Sequence, residues 1–258
     1  MGENSLGKFG FKFGVNGAHS ARSMMLLELQ TLLESHAADV GLEQVKTDIC
    51  DHNLLQKPTV KSRNLTYRHL VDLYGLNTDV PIFRVLRMLW PLSEAAQPVL
   101  ALQMALARDP LLRLSRDFVM DTPLGCQVLR EDIEELLKAP DPERFSPASL
   151  KSFAQNINGS WTQAGFLQGK ARKVRVRPSV VFPNVVFAMF LAYLEGATGE
   201  RLLQSRWCAL LELSADQVSD HAIVAAQRGI IDFKQAGGIT EVRFNQFLTP
   251  EEEQWRYE

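Results

Sequence analysis

The run from Val185 to Leu194, VVFAMFLAYL, most constrains how this chain can fold. A membrane span needs roughly 20 apolar residues, and this run has ten. It therefore predicts a helix starting near Pro183 and buried on all faces, which other helices must surround. The chain supplies them. Ser20 to about Ala38 has the spacing of an amphipathic helix, with Met24, Leu27 and Leu32 apolar and Glu28 and Glu34 polar. Thr59 to Tyr74 puts Leu70, Val71 and Tyr74 on a shared face, with Gly75 as its C-cap. Pro81 opens PIFRVLRMLW, and Val99 to Ala107 follows Pro98 as another short helix. Leu202, Leu203, Trp207, Leu210 and Leu211 mark one more. Ser214 and Gln217 form a capping-box pattern for a helix that stops near Gly229.

Other segments carry different signals. Five glycines in the first twenty residues argue against helix there, and predict a short docked strand or a loose arm. Thr122-Pro123 reads as a helix cap, with Val128, Leu129, Ile133, Leu136 and Leu137 as the apolar stripe and Glu131, Asp132, Glu134 and Glu135 as the solvated face. Three prolines between residues 139 and 147 mark a loop and a boundary. Ile230–Phe233 and Ile239–Phe244 flank a Gly-Gly turn and predict a β-hairpin, with Val242 and Phe244 facing one way and Glu241 and Arg243 the other. The end, TPEEEQWRYE, is acidic and expected to fray. The organisation read from these signals is a glycine-rich arm (1–19), an N-terminal helical domain (20–139), a C-terminal domain (140–248) and an acidic tail (249–258). The fold class is mainly α, with helix-turn-helix plus β-hairpin elements.

Charge narrows the function. The net formal charge is -2, so anion binding requires a local patch. One exists. From Ser146 to Pro178 there are six Lys or Arg and no Asp or Glu. Ser146 and Pro147 form a helix start, and Gly165 closes that helix. Lys173, Arg175 and Arg177 then alternate with Val174 and Val176, the pattern of a half-buried strand whose valines pin it to a core and whose cations face out. A row of cations beside a polar helix suits a nucleic-acid backbone. The candidate contacts are Lys170, Arg172, Lys173, Arg175, Arg177, Lys151, Gln155 and Asn156. Lys57, Lys61, Arg63 and Arg68 form a second, weaker cluster, more readily read as ordinary solvated cations than as a second contact surface. An acidic protein partner, for which the chain would act as a scaffold, is the competing occupant of the basic face.

Enzymatic signatures are lacking. The five histidines show no metal-ligand spacing, and there is no phosphate-binding loop and no nucleophile elbow. The three cysteines are scattered and odd in number, which fits a reducing compartment rather than a disulfide framework. A cytoplasmic protein without metal or cofactor is expected.

Four stretches carry a family resemblance: TPLGCQVLREDIEELL, SLKSFAQNINGSWTQAGFLQGKARKVRVRPSV, LEGATGERLLQSRWCALL and AAQRGIIDFKQAGGITEVRF. With DHNLL at Asp51–Leu55 they span most of residues 20 to 247. In this order they resemble the BrxA family, the small accessory component of bacterial BREX phage-defence systems. The resemblance implies winged-helix-like domains and binding to double-stranded DNA. It also implies a non-catalytic part in anti-phage defence beside a methyltransferase and an ATPase. It transfers no base-reading residue.

Overall fold

The computed structural model describes residues 2–258. The protein is mainly α-helical, with a few short antiparallel strands in two small sheets. In chain order the first half holds α1 (Glu3–Phe9), α2 (Leu26–Ser35), α3 (Leu42–Cys50), α4 (Val60–Tyr74), α5 (Pro81–Leu89), α6 (Gln97–Arg108), α7 (Pro110–Leu114) and α8 (Arg116–Asp121). Next come β1 (Gln127–Val128), α9 (Arg130–Lys138), α10 (Pro147–Gln163), β2 (Leu167–Gln168) and β3 (Lys173–Arg175). The remainder holds α11 (Phe182–Leu194), α12 (Glu200–Leu203), α13 (Arg206–Ala209), α14 (Ala215–Gln227), β4 (Asp232–Ala236), β5 (Ile239–Arg243) and α15 (Pro250–Gln254).

Two compact units are present, and both are discontinuous in sequence. Among the described residues, one comprises 2–11, 79–103 and 179–258; the other comprises 12–78 and 104–178. The sequence reading divided the chain into contiguous stretches instead, and its boundary near 140 lies within the second unit.

In the first unit α11 is the core element, as its composition requires. Every residue from Phe182 to Leu194 except Tyr193 is buried. Its one polar residue, Asn184, is satisfied: Oδ1 accepts from the Val181 N–H at 3.1 Å and Nδ2 donates to the Ala96 carbonyl at 2.9 Å. α13 and α14 pack on α11. The β4–β5 hairpin turns at Gly237 and Gly238, whose φ of +57° and +79° require glycine. Two expectations fail here. Residues 3–9 of the glycine-rich start are helical: Gly2 and Gly10 cap the helix, and the burial of Leu6 and Phe9 offsets the interior Gly7. Nor does the acidic end fray. Thr249 and Glu252 cap α15 reciprocally, Glu252 pairs with Arg84, and Glu253 accepts from the Tyr193 hydroxyl at 2.9 Å. Trp255 lies against Phe9 with ring centroids 5.6 Å apart. Packing and ion pairs thus outweigh the end's low apolar content.

In the second unit α3 packs on α4, α10 on α9, and α7 on α8 and α9. Met25 is held at a φ of 55°, so α2 starts only at Leu26, later than its periodicity suggests. Asp48 on α3 gathers three donors: Gln44 Nε2 at 2.9 Å, His36 Nε2 at 2.8 Å and His52 Nδ1 at 2.8 Å. Hydrogen bonds from Gln44, then His36 and His52, hold its carboxyl at about 2, below the ordinary 3.8. A depressed carboxyl stabilises the fold fully above its unfolded value and loses that contribution as pH falls through the folded one. Asp48 is near the surface, so we expect wild type to lose only about 1 kcal/mol more than Asp48→Asn on acidification, between the unfolded and folded values. Parallel urea titrations across that range measure it, and identical acid limbs would remove the assignment.

Candidate nucleic-acid interface

The basic stretch read from sequence, Ser146 to Pro178, carries α10, β2 and β3. β3 is the central strand of a three-stranded antiparallel sheet in the order β1-β3-β2. Gln127 faces Val174 and Val128 faces Lys173 on one side, while Leu167 faces Arg175 and Gln168 faces Val174 on the other. α9 and α10 lie between β1 and β2 in the chain and pack on each other. α10 begins as its sequence dictates: Ser146 Oγ accepts from the Ser149 N–H and Pro147 occupies the first turn. Gly165, at a φ of +83°, stops it. Trp161 anchors it by donating from Nε1 to Ser115 Oγ at 2.8 Å and meeting Phe166 edge-on.

Thr122 and Pro123 do not start a helix. Thr122 caps the end of α8, and the chain turns at Gly125, with a φ of +82°, into β1. Val128 is therefore a buried strand residue and Leu129 an exposed one. Only Ile133 and Leu137 of the expected stripe are buried on α9, with Leu136 half-buried.

The turn between β2 and β3 depends on Gly169. Its φ is +109°, and a Cβ there would fall 2.1 Å from the Arg172 carbonyl oxygen. This tight turn leaves Lys170, Ala171 and Arg172 exposed, and Arg177 is exposed beyond β3. Lys173 is half-buried. Its Nζ donates to the Gly169 carbonyl at 2.7 Å, and burial lowers its pKa.

Arg175 corrects the alternation. It is fully buried, so it presents no charge to a phosphate. Its Nε donates to the Val119 carbonyl at 3.0 Å, and Nη1 donates to the carbonyls of Phe166, at 3.3 Å, and Val176. The guanidinium lies 5.3 Å from the Phe166 ring. The two valines beside it are half-buried. Period two locates the two faces of a strand, but a central strand can be covered on the face that carries the cation.

On α10, Lys151 and Gln155 are exposed. Asn156 is half-buried and donates from Nδ2 to the His19 carbonyl at 3.0 Å, which makes it a tether. In the weaker cluster, Lys57 pairs with Glu28 at 2.8 Å and Arg63 donates to the Asp51 carbonyl at 3.2 Å. Lys61 and Arg68 are exposed.

One cluster had no signal in sequence. His19 Nδ1 lies 2.9 Å from Asp109 Oδ2, and His19 Nε2 lies 2.7 Å from Ser160 Oγ. The order Ser, His, Asp matches that of a hydrolytic triad. Here all three side chains are buried, and Ser160 Oγ also accepts from the Met24 N–H at 2.8 Å. Asp109 accepts further bonds from the N–H groups of His19 and Leu112, each at 3.0 Å. Burial alone would raise the Asp109 carboxyl; the His19 charge and these hydrogen bonds outweigh it and hold the group below its ordinary value. A Cβ on Gly17 would sit 2.1 Å from Asp109 Oδ1, so this glycine is required by proximity rather than by backbone angle. The cluster is a buried clip joining the 17–24 segment to α7 and α10.

Among the described residues, no group of three or more His, Cys, Asp or Glu is placed to hold a metal ion, and no helix is long and apolar enough to cross a membrane. No protein-family model matches the chain, and no curated protein matches it either.

Proposed function

We propose that residues 127–177 form a winged-helix-like module that grips the backbone of double-stranded DNA. The observation that carries this reading is the exposed turn of Lys170 and Arg172, with Arg177 beyond it, in a stretch from 146 to 178 that contains no acid. Exposed cations attract phosphates and release condensed counterions. The strand order β1-β3-β2, with two packed helices inserted, suits this reading, since it sets a hairpin turn beside a helix that exposes Lys151 and Gln155. The resemblance to the BrxA family supports a non-enzymatic role in BREX-type defence, beside a methyltransferase and an ATPase. With a net charge of -2, affinity is modest and salt-sensitive.

The test is a duplex titration by fluorescence anisotropy over a range of salt. Wild type binds, with log K falling as log salt rises. The combined variant Lys170→Ala, Arg172→Ala, Arg177→Ala flattens that slope by about three and weakens binding about tenfold or more at low salt. An unchanged slope moves the contact elsewhere. Absence of binding by wild type at low salt refutes the DNA reading, and retention of an acidic protein instead would assign the face to a protein partner.

A further inference from the structure

β4 and β5 form a sheet of their own, so β4 keeps one edge without a neighbouring strand. Ala236 and Ile239 flank the Gly237-Gly238 turn and therefore share a backbone hydrogen bond. Hydrogen-bonded and non-bonded pairs alternate along an antiparallel ladder. Asp232 and Lys234 thus also bond to β5, while Phe233 and Gln235 turn their N–H and C=O groups away from it. Among the described residues, no other backbone or side-chain group bonds to these outward amides. Lys234, Gln235 and Ala236 are exposed. Unpaired peptide groups along an exposed edge are a template for another strand.

Charge selects the strand that fits. Asp232 stands opposite Arg243 and Lys234 opposite Glu241, so unlike charges meet across the outer face of the hairpin. On β5 the two charges satisfy each other: Arg243 Nε donates to Glu241 Oε1 at 2.8 Å. On β4 they do not. Asp232 accepts from the Asn245 amide at 2.6 Å, and among the described residues neither Asp232 nor Lys234 has an ion-pair partner. A lysine on an edge strand ordinarily repels a second copy of that strand. Here an acid lies two positions away on the same face, and a two-fold axis through Phe233 brings the two together. In that register Asp232 lies opposite the partner's Lys234, and Lys234 opposite the partner's Asp232. Each row then runs Glu241, Lys234, Asp232, Arg243 across four strands, with the sign alternating at every step. An axis at Lys234 or at Asp232 would set like charges against each other, and an axis at Gln235 would set Lys234 against Ala236.

We infer that the open edge of β4 is an interface for a second copy of this chain, with β4 pairing antiparallel to itself about a two-fold axis at Phe233. The two hairpins then form one four-stranded sheet. A ladder this short buries less than the roughly 1,200–2,000 Å² of a stable interface, so the dimer is weak and dissociates on dilution. The inference does not depend on the DNA reading, which concerns residues of the other unit.

The experiment is sedimentation equilibrium of the full chain, without nucleic acid, from about 5 to 500 μM. Wild type shows a reversible monomer–dimer equilibrium with a Kd of about 100 μM or lower. Lys234→Asp and Asp232→Lys each set like charges across the axis, and each alone dimerises about tenfold more weakly or worse. An equimolar mixture of the two variants recovers the wild-type association, because every introduced charge then meets an opposite one. Gln235→Pro removes an outward N–H and no bond of the hairpin itself, so it too weakens dimerisation about tenfold or more while the thermal midpoint stays close to wild type. If a charge variant does not fold, Gln235→Pro and wild type decide. Wild type that stays monomeric throughout the range overturns the proposal. So does a dimer that Gln235→Pro leaves unweakened, which would lie on another face, or growth into open-ended oligomers, which a closed two-fold contact forbids.

Discussion

Asp109→Ala is expected to cost about 3–5 kcal/mol, because several buried donors lose one carboxylate acceptor together. Three donors lose their acceptor at once: His19 Nδ1 and the backbone N–H groups of His19 and Leu112. The residue also caps α7, whose Pro110 already lacks a donor. His19 is fully buried, so no water replaces the carboxylate at that position. Against a typical domain stability of about 5–15 kcal/mol, such a loss removes a large fraction. Urea denaturation followed by circular dichroism measures it as a lower midpoint with an unchanged slope. The carboxyl of Asp109 is held below its ordinary value, so this stabilisation is present above the usual carboxylate range and is lost as pH falls through the depressed value. A midpoint indistinguishable from wild type would show that the clip is dispensable.

Arg175→Met is expected to be almost as damaging, about 3 kcal/mol or more, although the change removes a cation from a basic stretch. Methionine fills part of the volume and donates nothing. The carbonyls of Val119, Phe166 and Val176 would each lose a donor in a place where water has little access. Arg175→Lys should recover only part of the loss, since a single ammonium cannot reproduce a planar fork that reaches several acceptors. The measurement is the thermal midpoint, set beside that of the Lys170, Arg172, Arg177 variant, whose side chains are exposed and whose midpoint should stay close to wild type. A normal midpoint for Arg175→Met would contradict the buried role. Any fall in DNA affinity caused by Arg175→Met reports a loosened sheet, and charge removal on this face should therefore leave Arg175 in place.

What was legible in the sequence were features whose causes are local. Ser146, Pro147 and Gly165 bound α10 because capping and chain reversal involve residues a few positions apart. The Ser214–Gln217 box and the Gly237-Gly238 hairpin are of the same kind. α11 was readable because its composition alone leaves no solvent face. The unread features depend on distant partners. β1 has two residues and no pattern of its own; it is a strand because β3 pairs with it. The faces of β3 were misassigned at Arg175 because α8 and Phe166 offer carbonyls on the side taken for solvent. Within the cationic surface, Lys170, Arg172 and Arg177 are exposed as expected, while Lys173 and Asn156 spend donors on backbone carbonyls. The clip of His19, Asp109 and Ser160 links residues 90 and 141 positions apart, beyond any spacing rule. Asn158 looked like one more polar residue of a helix face; its burial is visible only in three dimensions.

The contact between Phe9 and Trp255 also sets a timetable for synthesis. α1 is synthesised before its partner, and a ring it packs against arrives 246 residues later. At about 5–20 residues per second, that interval is on the order of tens of seconds. Throughout it, the apolar ring of Phe9 lacks the cover that Trp255 provides. Contacts of such long range form late, and the nascent chain is exposed to aggregation or chaperone capture while it waits.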